Sequence, residues 1–106
     1  MGKKMRVSLR QPYRQFFGTL ANQYRLDIVH ALIDKPLHVG AICEKTGLKQ
    51  ATVSHNLKRL KLCGFVFDQP QGKERVYTLN HKTITPVLKL MDSHMAAYCS
   101  KLCKEC

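Results

Sequence analysis

Apolar residues recur at helical spacing along most of this chain and change to strand spacing in one stretch. Phe16, Phe17 and Leu20 fit one face of a first helix starting near Pro12, a residue suited to a first helical turn. Leu26, Val29, Leu32 and Ile33 fit a second, with Asn22 as its cap and Asp34-Lys35-Pro36 as its end. Val39, Ile42 and Cys43 mark a short third helix near 38–45, and Val53, Leu57 and Leu60 a fourth near 49–63. Gly47 supplies the turn between these two, and Gly64 permits a sharp exit from the second. Phe65-Val66-Phe67 and Arg75-Val76-Tyr77-Thr78-Leu79 then read as two strands joined by the turn-forming run Asp68 to Glu74. After a connection over Asn80 to Thr85, a last helix is expected with Thr85 as N-cap and Pro86 at its first position. The predicted fold is mainly α with a small β-hairpin: four helices, two strands and a fifth helix. Residues 1–11 are expected to be a flexible basic arm, and 12–106 one domain ending in a cysteine-rich tail over 98–106.

A tight turn followed by an amphipathic helix and a basic hairpin suggests a helix-turn-helix with a wing. Outside the apolar stripe, the fourth helix carries hydrogen-bonding groups suited to base edges and cations suited to phosphates. Gln50, Thr52, Ser54 and His55 are the candidates for reading bases. Lys58, Arg59, Lys73 and Arg75 are the candidates for holding phosphates, the last two from the wing. The partner this predicts is double-stranded operator DNA.

Charge agrees. Lys and Arg number 18 against 7 acidic residues, a formal net charge of +11, which favours a polyanionic partner. No apolar run reaches the roughly 18 residues a membrane helix needs, so no membrane association is expected. Residues 1–12 begin basic but lack an apolar h-region, so a cytoplasmic location with reduced cysteines is expected. No nucleophile–base pair and no phosphate-binding glycine loop argues for an enzyme. Cys103-Lys-Glu-Cys106 has the spacing of a thiol oxidoreductase, but it follows a helix C-terminus, where the dipole opposes a thiolate.

Three blocks carry a family resemblance. Gly47-Leu-Lys-Gln-Ala-Thr-Val-Ser-His-Asn-Leu57 is close to the G-L-S-Q-S-T-V-S-H-H-L of the ArsR/SmtB metal-responsive repressors. Leu20-Ala-Asn-Gln-Tyr-Arg-Leu26 is similar to that family's L-A-D-P-T-R-L, and Gly72-Lys-Glu-Arg-Val-Tyr-Thr-Leu79 to its G-R-x-x-Y-Y-x-L. The resemblance covers roughly Tyr13 to Met95. It implies a winged-helix homodimer that represses a promoter and releases it on sensing a ligand. Lys49 replaces the serine that caps the family's recognition helix. His38 and Gly40 stand at the two positions of the family's Cys-x-Cys metal site, and only His94, with His81 as a possible second, matches its four-ligand zinc site. Neither site carries over.

The last helix has more apolar residues than a small domain obviously needs, and a homodimer interface through Leu88, Met91 and Met95 would use them. Beyond it, Cys99, Cys103 and Cys106 fall at i, i+4 and i+7, within about 60° of arc on a helix. Three thiols on one face suit a thiophilic metal or metalloid: arsenite, cadmium or zinc. The expected function is a repressor that leaves DNA when these thiols are occupied. Two alternatives stand beside it. One is a repressor switched by thiol oxidation. The other is a winged-helix module without a ligand, in which these cysteines simply continue the packing stripe of Met91 and Met95.

Overall fold

The computed structural model describes the backbone of residues 2–99 and the side chains of residues 11–99. The elements run α1 Gly2–Leu20, α2 Gln23–Ala31, β1 Leu37–His38, α3 Val39–Thr46, α4 Gln50–Leu62, β2 Val66–Gln71, β3 Glu74–Leu79 and α5 Ile84–Tyr98. A mainly helical body thus carries a β-hairpin wing, the winged helix-turn-helix expected from the pattern.

One core holds the body together. Ile28, Val29 and Leu32 from α2 and its C-cap meet Ile42 of α3 and Val53, Leu57 and Leu60 of α4. Phe65, just before β2, closes it together with Val66 and Leu79 of the sheet and Ile84 and Leu88 of α5. Each such side chain contributes about 1.5–3 kcal/mol when fully buried.

Local chemistry sets the helix boundaries. Asn22 Oδ1 accepts the Arg25 N–H at 3.1 Å and caps α2 as expected. α3 begins at His38, whose Nδ1 accepts the Ala41 N–H at 3.3 Å. Lys49 precedes α4 without a side-chain cap bond, as the loss of the family's serine implies. At the other end of α4 the Phe65 N–H reaches the Leu60 carbonyl and the Gly64 N–H the Lys61 carbonyl. This double bond pattern requires the left-handed φ of 74° that Gly64 supplies.

Several expectations change. α1 begins at Gly2, not near Pro12, so the stretch expected as an arm is helical from Gly2 and Pro12 lies inside the helix. Proline at a first helical position and proline within a helix look alike in sequence. The second costs one backbone hydrogen bond and kinks the helix, and the remaining residues of the segment are compatible with helix. α5 begins at Ile84 and not at Pro86, and Thr83, not Thr85, precedes it. Asn80 organises the entry: its Oδ1 accepts the Lys82 and Thr83 N–H groups, and its carbonyl accepts the Ile84 N–H. Pro86 remains in the first turn, where its missing N–H has no intrahelical partner to lose.

The sheet has three strands in the order β1-β3-β2, all antiparallel. The two-residue β1 was not expected; Leu37 and His38 pair with Tyr77 and Val76. The wing strands are longer than the pattern suggested, and the turn narrows to Gly72-Lys73, where Gly72 takes a φ of 64°. Pro70 pairs with Arg75 on the edge strand β2, the position where a sheet tolerates proline.

Candidate nucleic-acid interface

The position of each polar residue on α4 follows from its angle to the buried stripe. Taking Val53 as zero and about 100° per residue, Ser54, Lys58 and His55 lie roughly 100–200° round and face away from the core. All three are exposed, with Ala51 among them. Gln50 is on the flank towards the wing. It lines an open cleft of about 580 Å³ with His38, Val39, Gly40, Cys43, Glu74, Arg75 and Tyr77. Thr52 lies on the opposite flank, in a depression shared with Asn22, Tyr24, Arg25 and His55. Arg59 lies on that same flank, about two turns further along, against α1. The eight residues expected at the interface therefore divide: Ser54, His55 and Lys58 form the outward face of α4, Gln50 borders the wing, Thr52 and Arg59 border α1 and α2, and Lys73 and Arg75 lie on the wing itself.

The wing is tied to α4 by one carboxylate. Asp68, whose side chain is 9 % exposed, receives Lys61 Nζ at 2.9 Å and an Arg75 guanidinium nitrogen at 3.3 Å. The hydrogen bond from Lys61, helped by the charges of Lys61 and Arg75, holds the Asp68 carboxyl below its usual 3.8 despite partial burial. Arg75 thus spends part of its charge within the sheet, whereas Lys73 stands exposed at the tip. A basic wing was legible in the sequence; its internal ion pairs were not.

His38 meets Glu74 at 3.9 Å through the same Nδ1 that accepts the Ala41 N–H. A nitrogen accepting a hydrogen bond carries no proton, so with the cap in place this contact is not a charge-assisted pair through Nδ1.

A second group escaped the sequence analysis. Asn56 is buried on the core side of α4, at the i+3 position of the stripe formed by Val53, Leu57 and Leu60. Its Nδ2 donates to the Thr52 carbonyl at 2.8 Å, and its Oδ1 accepts from Arg25 at 3.3 Å. Arg25 Nε–H also donates to the Thr19 carbonyl at 2.6 Å. The fully buried Thr19 hydroxyl donates to the Gln15 carbonyl at 2.7 Å and lies 3.4 Å from Cys63 Sγ. This chain of bonds fixes α4 against α1 and α2. Among the described residues no buried side-chain nitrogen or oxygen lacks a partner. The periodicity that found the apolar stripe also points to Asn56, once a polar residue is allowed on it.

This geometry can be set beside known proteins. The family model for bacterial regulatory proteins of the arsR family matches residues 22–67, from the cap of α2 into the wing. The HTH-type transcriptional regulator NmtR of Mycobacterium tuberculosis is 37 % identical over 73 residues, 69 % of this chain and 60 % of that protein. The chain is an ArsR/SmtB-like winged helix. Rv0081 of Mycobacterium tuberculosis superposes with a TM-score of 0.81 at 26 % identity, over 88 % of this chain and 94 % of that one. The homodimeric winged helix-turn-helix DNA-binding domain Mb0332 of Mycobacterium bovis gives 0.73 at 27 % identity, over 88 % and 90 %. The matched segment spans 60–67 % of the length of the curated relatives.

In this ArsR/SmtB-like winged helix, α5 joins the core through its first turns only. Leu88 is 7 % exposed and belongs to the chain's own core, so it offers little surface to a partner, contrary to its expected place in an interface. The reason is its position one turn after Ile84, on the side of α5 that meets the body. Met95 is half-buried and Met91 is 42 % exposed, while Leu90 and Tyr98 stand open beside them. α1 likewise leaves Tyr13 and Phe17 exposed.

Of the three cysteines expected as metal ligands, Cys99 is the half-buried C-cap of α5, its N–H bonded to the Met95 carbonyl at 2.9 Å. Cys103 and Cys106 lie outside the described residues. Cys43 lines the cleft beside the wing, and Cys63 the one beside α1. Among the described residues no three His, Cys, Asp or Glu side chains come together as a metal site. None of the described helices is long and apolar enough to cross a membrane.

Proposed function

We propose that the protein is a dimeric DNA-binding transcriptional repressor whose operator affinity falls when thiols at the end of α5 bind a thiophilic metal or metalloid. The observation that carries the DNA-binding part is the outward face of α4. Ser54, His55 and Lys58 stand exposed on a helix locked from behind by its apolar stripe and by Asn56, with the cationic wing tip beside it. A helix so held presents hydrogen-bonding side chains to a major groove with little freedom left to lose.

Two exposed apolar sets support the dimer: Tyr13 and Phe17 on α1, and Leu90, Met91 and Tyr98 on α5. Surface of this kind on a highly charged chain is suited to a second copy. The similar fold of Mb0332, a homodimeric DNA-binding domain, supports the same arrangement. The sensing part rests on Cys99, Cys103 and Cys106, which follow directly on α5. A ligand held there would act where the two subunits meet, and so on the distance between their recognition helices.

The test is selection of bound duplexes from a random pool. The expected result is an enriched inverted repeat, its half-sites about one helical turn, or 10–10.5 base pairs, apart. Failure of any sequence to enrich would contradict the proposal.

A further inference from the structure

On the flank of α4 away from the wing, a cleft of about 440 Å³ separates the second half of α1 from the C-terminal end of α4. Its size is within the range of small-molecule sites. Its surface is about equally polar and apolar, the apolar part coming from Pro12 and Phe16 of α1, Leu62 and Cys63 at the end of α4, and Phe65 behind them. The Phe16 and Phe65 rings lie 5.1 Å apart with planes inclined by 36°, forming an aromatic back wall. Leu62 stands at the rim and is 78 % exposed, an aliphatic side chain left in water.

Among the described residues two with charged or amide side chains line this space, Gln15 and Arg59, and none of the described lining residues is acidic. Among the described residues Arg59 forms no ion pair. Its guanidinium is a fork of donors suited to a carboxylate. The C-terminal end of a helix ordinarily repels an anion, but the Gly64 and Phe65 N–H groups already occupy the Lys61 and Leu60 carbonyls of α4.

We propose that this cleft binds a small hydrophobic carboxylate, its apolar body against Phe16, Phe65 and Leu62 and its carboxylate on Arg59, with the Gln15 amide as a second donor. The ligand would bridge α1, which carries the exposed Tyr13 and Phe17, to the helix proposed to read DNA. The site does not depend on the DNA-binding proposal and is tested without DNA.

The experiment is calorimetric titration of the full chain with octanoate, with octanol and octylamine as partners of equal length but different charge. Proton NMR reports the Phe16 and Phe65 ring signals. The expected result is saturable binding of one octanoate per chain, shifts of both ring signals, and binding of the alcohol and the amine weaker by about tenfold or more. Arg59→Gln should weaken octanoate by about tenfold. Leu62→Glu, at an exposed position that does not support the core, should weaken it as well. Thermal melts of both variants verify folding. Octanol binding as well as octanoate, equal binding by Arg59→Gln and the native chain, or no saturable binding because a second copy covers the cleft would each overturn the proposal.

Discussion

The Arg25 guanidinium reaches across from α2 to the Asn56 side chain of α4 at 3.3 Å, while its Nε–H holds the Thr19 carbonyl at the end of α1 at 2.6 Å. One cation thus ties α4 to two other helices. Asn56→Ala removes the acceptor and leaves part of the guanidinium without a partner. The expected loss is about 1–3 kcal/mol, read as a lowered urea midpoint at unchanged slope. A change within experimental error would show that the bond to Asn56 does not hold α4.

Asp68 makes the attachment of the wing depend on pH. Its carboxyl is held below the ordinary 3.8 by the hydrogen bond from Lys61 and by the charges of Lys61 and Arg75. A group lowered in the folded state contributes stability that is fully present above its unfolded value. That contribution is lost as pH falls through the lower folded value. Native protein should therefore lose stability more steeply than Asp68→Asn as pH drops below about 4, whereas the two should run parallel between pH 6 and 8. Parallel curves in the acid range as well would contradict the ion-pair role.

Leu88 and Met91, close in sequence on α5, should behave oppositely. Leu88→Ala cuts into the core and should cost about 2–5 kcal/mol of folding stability. Met91→Asp, at an exposed position, should leave folding nearly intact and yield monomers in sedimentation. An intact dimer for Met91→Asp would remove α5 from the proposed interface.

The fold was legible because its main signals are local. Helical spacing of Val53, Leu57 and Leu60, the left-handed glycines at 47 and 64, and the two runs of the wing each specify their own segment. What escaped depends on partners distant in the chain. β1 is a strand only because β3 lies beside it, and a two-residue segment has no alternation to read. The inclusion of residues 2–11 in α1 was hidden by a proline that serves equally well as a start signal. Leu88 was read as surplus apolar surface because sequence alone does not tell which side of α5 meets the body. The candidate DNA contacts were recognisable as a set. Their division between an outward face, the wing flank and the α1 flank required the third dimension.

The proposed sensor separates into thiol and trigger. The native protein should lose operator affinity on addition of arsenite, cadmium or zinc, by the 5–150-fold that about 1–3 kcal/mol of coupling provides. A Cys99→Ser, Cys103→Ser double variant should not respond. A response of the native protein to an oxidant alone would replace metal binding with thiol oxidation, and equal responses in both proteins would remove these cysteines from the mechanism.

The central claim is that the outward face of α4 reads sequence while the wing tip only holds backbone. The measurement that tests it most directly is fluorescence anisotropy of the selected duplex and a scrambled one, titrated across a range of salt with Ser54→Ala and Lys73→Ala. Ser54→Ala should reduce the preference for the selected duplex. Lys73→Ala should weaken both duplexes alike and lower the salt slope by about 1. Equal affinity of the native protein for both duplexes at physiological salt, or an unchanged preference in Ser54→Ala, would contradict the account.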